Sequence, residues 1–354
     1  MHTHHTGCHP IQCILPPHML DSMRTRGDAS MRKMVATIEK DVAAVLVERE
    51  AATSPTAFMG TPTVRSAAAA VNRKVYDGQG KTTLPGKLVR AEGEPPVADN
   101  VVNIVYDLTG VVYDLYLQKF QRDSLDGQGL LLESTVHHRR GYNNAFWNGA
   151  QMAYGDGDGR LFKTFTELSV IGHELSHGVV QFAGGLVYRD QSGALNESFA
   201  DVFGSLAVQF YKKQTVAEAN WLIGEGIFGP NVTGSALRSM KAPGTAYNDQ
   251  MLGIDPQPFH MDGYVNTSSD NGGVHINSGI PNHAFYLLAQ YLGGFAWEKA
   301  GKIWHESLQR LQNPMATFRD WAETTVEVAR DGFGNGSFEM LYTRRAWKLV
   351  GINA

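Results

Sequence analysis

Five residues, His173-Glu174-Leu175-Ser176-His177, carry the clearest chemistry in this chain. They read H-E-x-x-H, and on a helix the two histidines lie on one face, one turn apart. Two imidazoles so placed can hold one zinc ion, and the glutamate beside the first can activate water at that ion. The flanks support a helix: Val170, Ile171, Leu175, Val179 and Val180 recur at helical spacing, and Gly184-Gly185 stop it. A catalytic zinc site usually has three protein ligands and an open fourth position, so the third must come from another element. Glu197, inside Asn196-Glu197-Ser198-Phe199-Ala200-Asp201, is the candidate. Gly184, Gly185 and Gly193 let the chain turn, and a second helical pattern runs through Phe199, Val202, Phe203, Leu206 and Phe210. Two helices joined this way can pack face to face and bring Glu197 to His173 and His177. Asp201, one turn beyond Glu197, is placed to accept the free N–H of a ligating histidine, with Asn196 a second supporting partner.

The elements that must hold these residues are legible at low resolution. Strand-like stretches at 87–91, 130–137 and 151–154 dominate residues 75–165, interrupted by one helical pattern through Val101, Ile104, Val105, Leu108, Val111, Val112 and Leu115. From residue 167 helices are expected to follow one another almost to the end. Strands followed by helices argue an α+β fold in two lobes, with the H-E-x-x-H helix at the changeover.

Composition excludes several classes. The chain has 354 residues, 43% of them hydrophobic, enough for a large core or two lobes with an appendage. A net charge of −4 gives no reason to invoke nucleic acid or an anionic membrane. No apolar run is long enough to span a bilayer, and no secretory signal peptide is recognisable. Cys8 and Cys13 are the only cysteines, so the body of the chain has no disulfide framework.

The helix, its spacing and the N-E-x-x-x-D segment resemble the thermolysin family of zinc endopeptidases. The segments running Gly141-Tyr142-Asn143-Asn144-Ala145-Phe146-Trp147-Asn148-Gly149, Gly155-Asp156-Gly157-Asp158-Gly159 and Asp270-Asn271-Gly272-Gly273-Val274-His275-Ile276-Asn277-Ser278-Gly279 carry the resemblance onward. It extends from about residue 75 to the C terminus. It implies a β-rich N-terminal lobe including the zinc helix (61–185) and a helical C-terminal lobe (186–354), with one catalytic zinc on His173, His177 and Glu197. It implies Glu174 as general base and then proton donor to the leaving amine. His275 and Tyr188 occupy the positions that stabilise charge on the peptide carbonyl oxygen, and Asp270 the one that orients His275. From sequence alone His275 would read as a helix-start histidine and Tyr188 as a core aromatic. Asn144 and Ala145 match edge-strand residues that bind substrate backbone, and Arg238 a residue that holds a substrate carbonyl. Phe162, Val170 and Leu237 match the pocket for the side chain after the cut bond, near Phe165; being apolar, they predict cleavage before Leu, Phe, Ile or Val. Trp147 reads as structural.

The N-terminal block behaves as a separate unit, with Met31, Met34, Val35, Ile38, Val42, Val45 and Leu46 on one helical face. Residues 51–70, rich in Ala, Thr, Ser and Pro, read as an exposed linker. The stretch Gln12-Cys13-Ile14-Leu15-Pro16-Pro17-His18-Met19-Leu20 resembles the short propeptide of the protealysin branch of the family. That implies a small helical pro-segment (1–60, with the linker) acting as an intramolecular inhibitor; the competing reading is a disordered terminus on a constitutively active enzyme. Cys13 capping the zinc is a further option.

The chain departs from the family at the positions of a double calcium site: Ser169, Val208, Asn220 and Leu222 are not acidic, and only Glu225 is retained, so calcium stays an option while the double site is expected to be mostly lost. The Asp156/Asp158 segment reads as a glycine-rich turn. His2, His4, His5 and His9 read as a solvated tail, and His137, His138, His260, His283 and His305 lack ligand partners in spacing. The expected partners are protein or peptide substrates. Family relatives act outside the cell, which implies secretion, with cytoplasmic storage open. A catalytically silent zinc protein that binds peptides is the rival from another class.

Overall fold

The computed structural model describes residues 12–52 and 69–354, and the side chains of 13–40 and 69–354. Val42, Val45 and Leu46, most of the expected linker, Cys8, His2, His4, His5 and His9 therefore lie outside the described side chains. Among the described residues, β1 (Gln12–Cys13), β2 (Arg73–Asp77), β3 (Lys87–Ala91), β4 (Leu132–Val136), β5 (Ala145–Trp147) and β6 (Met152–Tyr154) form one sheet in the order β1-β5-β6-β4-β2-β3. Strand β4 runs parallel to both β2 and β6, and β5 is antiparallel to β6. The expected strands 87–91, 130–137 and 151–154 coincide with or contain β3, β4 and β6.

Two helices of the N-terminal segment, α1 (Pro17–Arg26) and α2 (Ala29–Ala52), follow β1. The helix expected from the pattern beginning at Val101 is α3 (Asn100–Phe120), capped by the Asp99 carboxylate, which accepts from the Val101 N–H. At the changeover α4 (Leu168–Ala183) is capped by Glu167, which accepts from Ser169 and Val170, and it stops at Gly184 as the sequence required. Helix α5 (Asp190–Lys212) packs along α4. Their close approach depends on glycine: a Cβ on Gly204 would lie 2.5 Å from the Ser169 carbonyl oxygen, and one on Gly172 would lie 3.0 Å from the Gly204 Cα. That proximity brings the histidine face of α4 and Glu197 of α5 together.

Two expectations need amending. The N-terminal segment does not stand apart from the body, because β1 is an edge strand of the main sheet. Cys13, Ile14, Leu15, Met19, Met23, Val35 and Ile38 belong to the same continuous buried cluster as the catalytic body. Burying these side chains against the body lowers free energy more than leaving a small three-element unit with its apolar face in water. Nor do helices run unbroken after residue 167. Residues 213–269 are loops carrying two short ribbons, β7 (Leu222–Ile223) with β8 (Arg238–Ser239) and β9 (Asn248–Asp249) with β10 (Gly253–Ile254). Helices resume with α6 (Asp270–Asn277), α7 (Gly279–Leu292), α8 (Ala300–Arg310), α9 (Phe318–Phe333) and α10 (Phe338–Leu349). No helix among the described residues is long and apolar enough to cross a membrane.

Candidate metal centre

The two histidines of α4 and Glu197 of α5 converge on one point. His173, His177 and Glu197 each offer a ligand atom within 4.8 Å of the others, and all three are buried. The Nε2 atoms of the histidines lie 3.0 Å apart, with Glu197 oxygens 3.5 Å from His173 Nε2 and 3.3 Å from His177 Nε2. The opposite ring nitrogens fix the tautomers. His173 Nδ1 donates to Asp201 Oδ1 at 2.8 Å, since a carboxylate only accepts. His177 Nδ1 donates to Asn196 Oδ1 at 2.9 Å, the Asn196 amide being committed as a donor to the Leu186 carbonyl. Both Nε2 lone pairs therefore face a buried carboxylate, whose Oε2 has no hydrogen-bond partner. Lone pairs and negative charge gathered away from water call for a cation, and two imidazoles with a carboxylate suit zinc. Burial, and then His177, hold His173 down at about 4, in the neutral form a metal ligand needs. Burial pushes Glu197 upward, but His275, His177 and His173 outweigh it and hold the carboxyl well below its usual range.

Around this point stand the other residues singled out in the sequence. Glu174 is fully buried; its Oε2 accepts from the Trp147 N–H at 2.9 Å, and its Oε1 has no partner. Burial, reinforced by Glu197, raises the Glu174 carboxyl well above the ordinary range. Trp147 thus contributes its backbone as well as a buried indole, which donates to Gln181. Tyr188 donates through its hydroxyl to Glu197, and that oxygen lies 3.2 Å from His275 Nε2. His275 is held by Asp270, whose Oδ1 accepts from Nδ1 at 2.6 Å and Oδ2 from the backbone N–H at 2.9 Å. A left-handed turn through Asp270 (φ 53°), Asn271 (φ 50°), Gly272 (φ 89°) and Gly273 (φ 77°) folds the carboxylate back onto the histidine. Against burial, Glu197 and Asp270 raise His275 to about 9.

The N-terminal segment lies across this site. Strand β1 pairs antiparallel with β5, Cys13 opposite Phe146. The Cys13 carbonyl oxygen sits 3.1 Å from His275 Nε2. The next residues then meet the expected backbone binders in order. Ile14 N–H donates to the Ala145 carbonyl at 3.2 Å, Arg238 Nη1 donates to the Ile14 carbonyl at 3.1 Å, and Leu15 N–H donates to Asn144 Oδ1 at 3.1 Å. Ile14 is fully buried, as are Phe162, Phe165, Val170 and Leu237 in the same apolar cluster. The Cys13 thiol points elsewhere, to the Leu15 carbonyl at 3.6 Å, and burial pushes it up to about 12. Cys13 thus meets His275 through its backbone carbonyl.

Three contributors were not singled out as site residues in the sequence. Asn282 of α7 donates to Asp201 at 2.8 Å, Gln257 from the irregular region donates to the His275 carbonyl at 2.8 Å, and His18 of α1 meets the Tyr247 hydroxyl at 2.8 Å. Each pairing depends on tertiary packing alone. The histidines set aside in the sequence have other partners: His137 bridges Asp99 and Asp156, His138 lies edge-on to Tyr142, and His305 stacks on Phe120. His283 reaches the Met240 carbonyl, and His260 accepts from the Asp262 N–H. Asp158 caps its own turn by accepting from Arg160, Leu161 and Phe162.

His18 carries a pH prediction. Its Nδ1 is enclosed without a partner, and burial holds the imidazole at about 4 when docked. Asp270 opposes that fall, while His275 and Arg238 add to it. Once undocked, the ring returns to its ordinary value near 6.5, so the free segment binds the proton more readily. Docking is then at full strength above about pH 6.5 and weakens as pH falls toward 4, by up to about 3 kcal/mol. Limited digestion of the N-terminal segment by an added acid-active protease should accelerate between pH 6.5 and 4.5, and His18→Gln should flatten that dependence. An unchanged profile in the variant would contradict the assignment.

Residues 62–181 match the thermolysin metallopeptidase catalytic domain, and residues 184–352 match its alpha-helical domain. The chain is 45% identical over 345 residues to an extracellular metalloprotease of Pectobacterium carotovorum subsp. carotovorum, covering 97% of each. It is 50% identical over 288 residues to protease PrtS of Photorhabdus sp. (strain Az29), covering 80% of this chain and 76% of that one. Among solved structures, the precursor of protealysin, a metalloproteinase from Serratia proteamaculans, superposes with a TM-score of 0.86 at 45% identity, over 96% of this chain and 99% of that one. The sequence motifs, the buried ligand triad and these likenesses agree: the chain belongs to the thermolysin metallopeptidase family and is a zinc endopeptidase made as a zymogen.

Proposed function

We propose that this endopeptidase cuts on the N-terminal side of bulky apolar residues, and that the pro-segment (1–60) inhibits it, with its residues Cys13, Ile14 and Leu15 lying in the cleft as a substrate does. The observation that carries this reading is the Cys13–Ile14 peptide. Its carbonyl oxygen faces His275, and the fully buried Ile14 follows it, with backbone bonds to Ala145 and Arg238. His173, His177 and Glu197 would hold one zinc, supported by Asp201 and Asn196. When bound, that ion supplies Lewis acidity and brings the pKa of coordinated water toward about 7. Glu174 takes a proton from the attacking water and delivers it to the leaving amine. His275 and Tyr188 donate hydrogen bonds to the carbonyl oxygen as it gains charge, a contribution of about 3–4 kcal/mol per lost donor. Asp270 keeps His275 oriented. Asn144, Ala145 and Arg238 fix the substrate backbone, and Phe162, Val170 and Leu237 form the apolar pocket.

In the same reading, 61–185 and 186–354 are the two lobes of the catalytic body, and the extracellular relatives support a secreted enzyme. Incubating the purified full chain with and without a zinc chelator, followed by mass spectrometry of fragments and of an added peptide mixture, tests it. Cuts before Leu, Ile, Phe or Val that vanish with the chelator are expected; cuts before charged residues, or insensitivity to the chelator, would overturn it.

Calcium has little place in this reading. At the positions of the family's double site, the Ser169 hydroxyl donates to Glu167 and accepts the Gly224 N–H at 2.8 Å, and Asn220 accepts from Leu222 at 3.2 Å. Of these, the Gly224 N–H to Ser169 bond joins the two segments directly, without a carboxylate or a cation. A calcium-selective chelator should therefore shift the thermal midpoint by no more than about 2 °C, whereas zinc removal abolishes hydrolysis. A large fall in midpoint on calcium removal would contradict this.

A further inference from the structure

The line of the cleft continues past the segment that occupies it, into a cavity of about 440 Å³ between α2 and the catalytic body. Because β1 and β5 are antiparallel, a bound chain running forward from Ile14 passes Ala145, then Asn144, and is aimed along Asn143, Tyr142 and Gly141 toward Arg140. The N-terminal segment leaves this line at Pro16-Pro17, where α1 begins. Helix α2 returns to cover the rest, with Met31, Met34 and Ile38 on the cavity wall and the Met34 sulfur 2.9 Å from Asn143 Nδ2. The opposite wall carries Arg139, Arg140 and Arg160, with Asp158 the one carboxylate among the described residues of the lining. Asp158 is already committed: Oδ1 accepts three backbone N–H groups, and Oδ2 accepts from Asn143. Arg140 and Arg160 are exposed, and no carboxylate among the described residues pairs with either. A chain of net charge −4 thus concentrates cations at one end of its cleft.

We infer that, once the N-terminal segment is removed, Arg140 and Arg160 select substrates carrying Asp or Glu at the third to fifth residues after the cut bond. An extended chain advances about 3.3 Å per residue, so those positions reach the arginine wall while the reacting peptide stays at the metal centre. Arginine presents a fork of donors suited to carboxylates, and exposed pairs of this kind favour one charge over the other modestly. This inference rests on the endopeptidase reading above.

The test uses the full chain incubated until a neutral reference peptide is hydrolysed at a steady rate, then peptides differing only by Glu or Lys at the fourth residue after the cut. The Glu peptide should be cut with about tenfold higher kcat/KM at low salt. That ratio should fall to within about twofold in the Arg140→Ala/Arg160→Ala variant and in roughly 0.5 M sodium chloride, where exposed charges are screened. The neutral peptide should be cut equally by parent and variant. Equal rates for the Glu and Lys peptides in the parent, or an undiminished ratio in the variant, would overturn the inference while leaving the endopeptidase reading intact. Failure to cut the neutral peptide at all would overturn both.

Discussion

Glu174→Gln should leave a folded, zinc-loaded chain whose peptide hydrolysis falls by about 10²–10⁴-fold, the range a positioned acid–base group supplies. Glutamine is nearly isosteric and can still accept the Trp147 N–H that Glu174 Oε2 accepts at 2.9 Å, so the loss should be chemical and not structural. It cannot take up a proton from water at neutral pH. Casein hydrolysis and chelator-sensitive peptide cleavage, measured beside zinc content and thermal midpoint, separate the two effects. If the N-terminal segment is removed by the chain itself, its loss should slow in parallel. Processing that continued at the parental rate would show that another protease does the cutting, and hydrolysis within twofold of parent would remove Glu174 from the mechanism.

Arg238→Ala should be among the most destabilising single changes in the body. Arg238 is 1% exposed and donates to both oxygens of the fully buried Asp201, from Nε at 2.8 and 3.1 Å and from Nη2 at 2.8 Å. Burial pushes Asp201 upward, but Arg238, and then His173, pull it down to about 2. Removing the guanidinium strands a buried carboxylate, which typically costs about 3–5 kcal/mol. The same variant loses the bond to the Ile14 carbonyl, so the N-terminal segment should also be cut away faster by an added protease. Arg238→Ala/Asp201→Leu should recover part of the stability, because no charge is left unpaired. It should bind zinc about 10–100-fold more weakly, because His173 then has no acceptor for Nδ1. Denaturant midpoints and zinc titrations report the two quantities separately; a midpoint for Arg238→Ala equal to that of the parent would refute the coupling.

The metal centre was readable in the sequence because its geometry is local. A one-turn spacing on α4 fixes the histidine pair, and a one-turn spacing on α5 ties Asp201 to Glu197. Gly184, which ends α4, is also a short-range signal. By contrast, Asn282 and Gln257 reach the site from segments whose placement depends on the whole C-terminal packing, and nothing in their neighbourhoods marks them. His275, Tyr188 and Arg238 were reached only through family resemblance; in isolation a histidine after a glycine pair and a tyrosine in an apolar stretch carry no distinctive pattern. The amended elements share one cause. The two-residue strand β1 shows no alternation of its own and becomes a strand only because β5 offers an open edge. The ribbons of 213–269 are likewise too short for periodicity to reveal.

The most direct test of the account is the zinc content of the purified full chain, determined by elemental analysis alongside its His173→Ala and Glu197→Gln variants. One zinc per chain is expected in the parent, lost or greatly weakened in both variants while the far-ultraviolet circular dichroism is retained. A parent without zinc after reconstitution, or variants that keep it with unchanged affinity, would contradict a shared ion held by His173, His177 and Glu197.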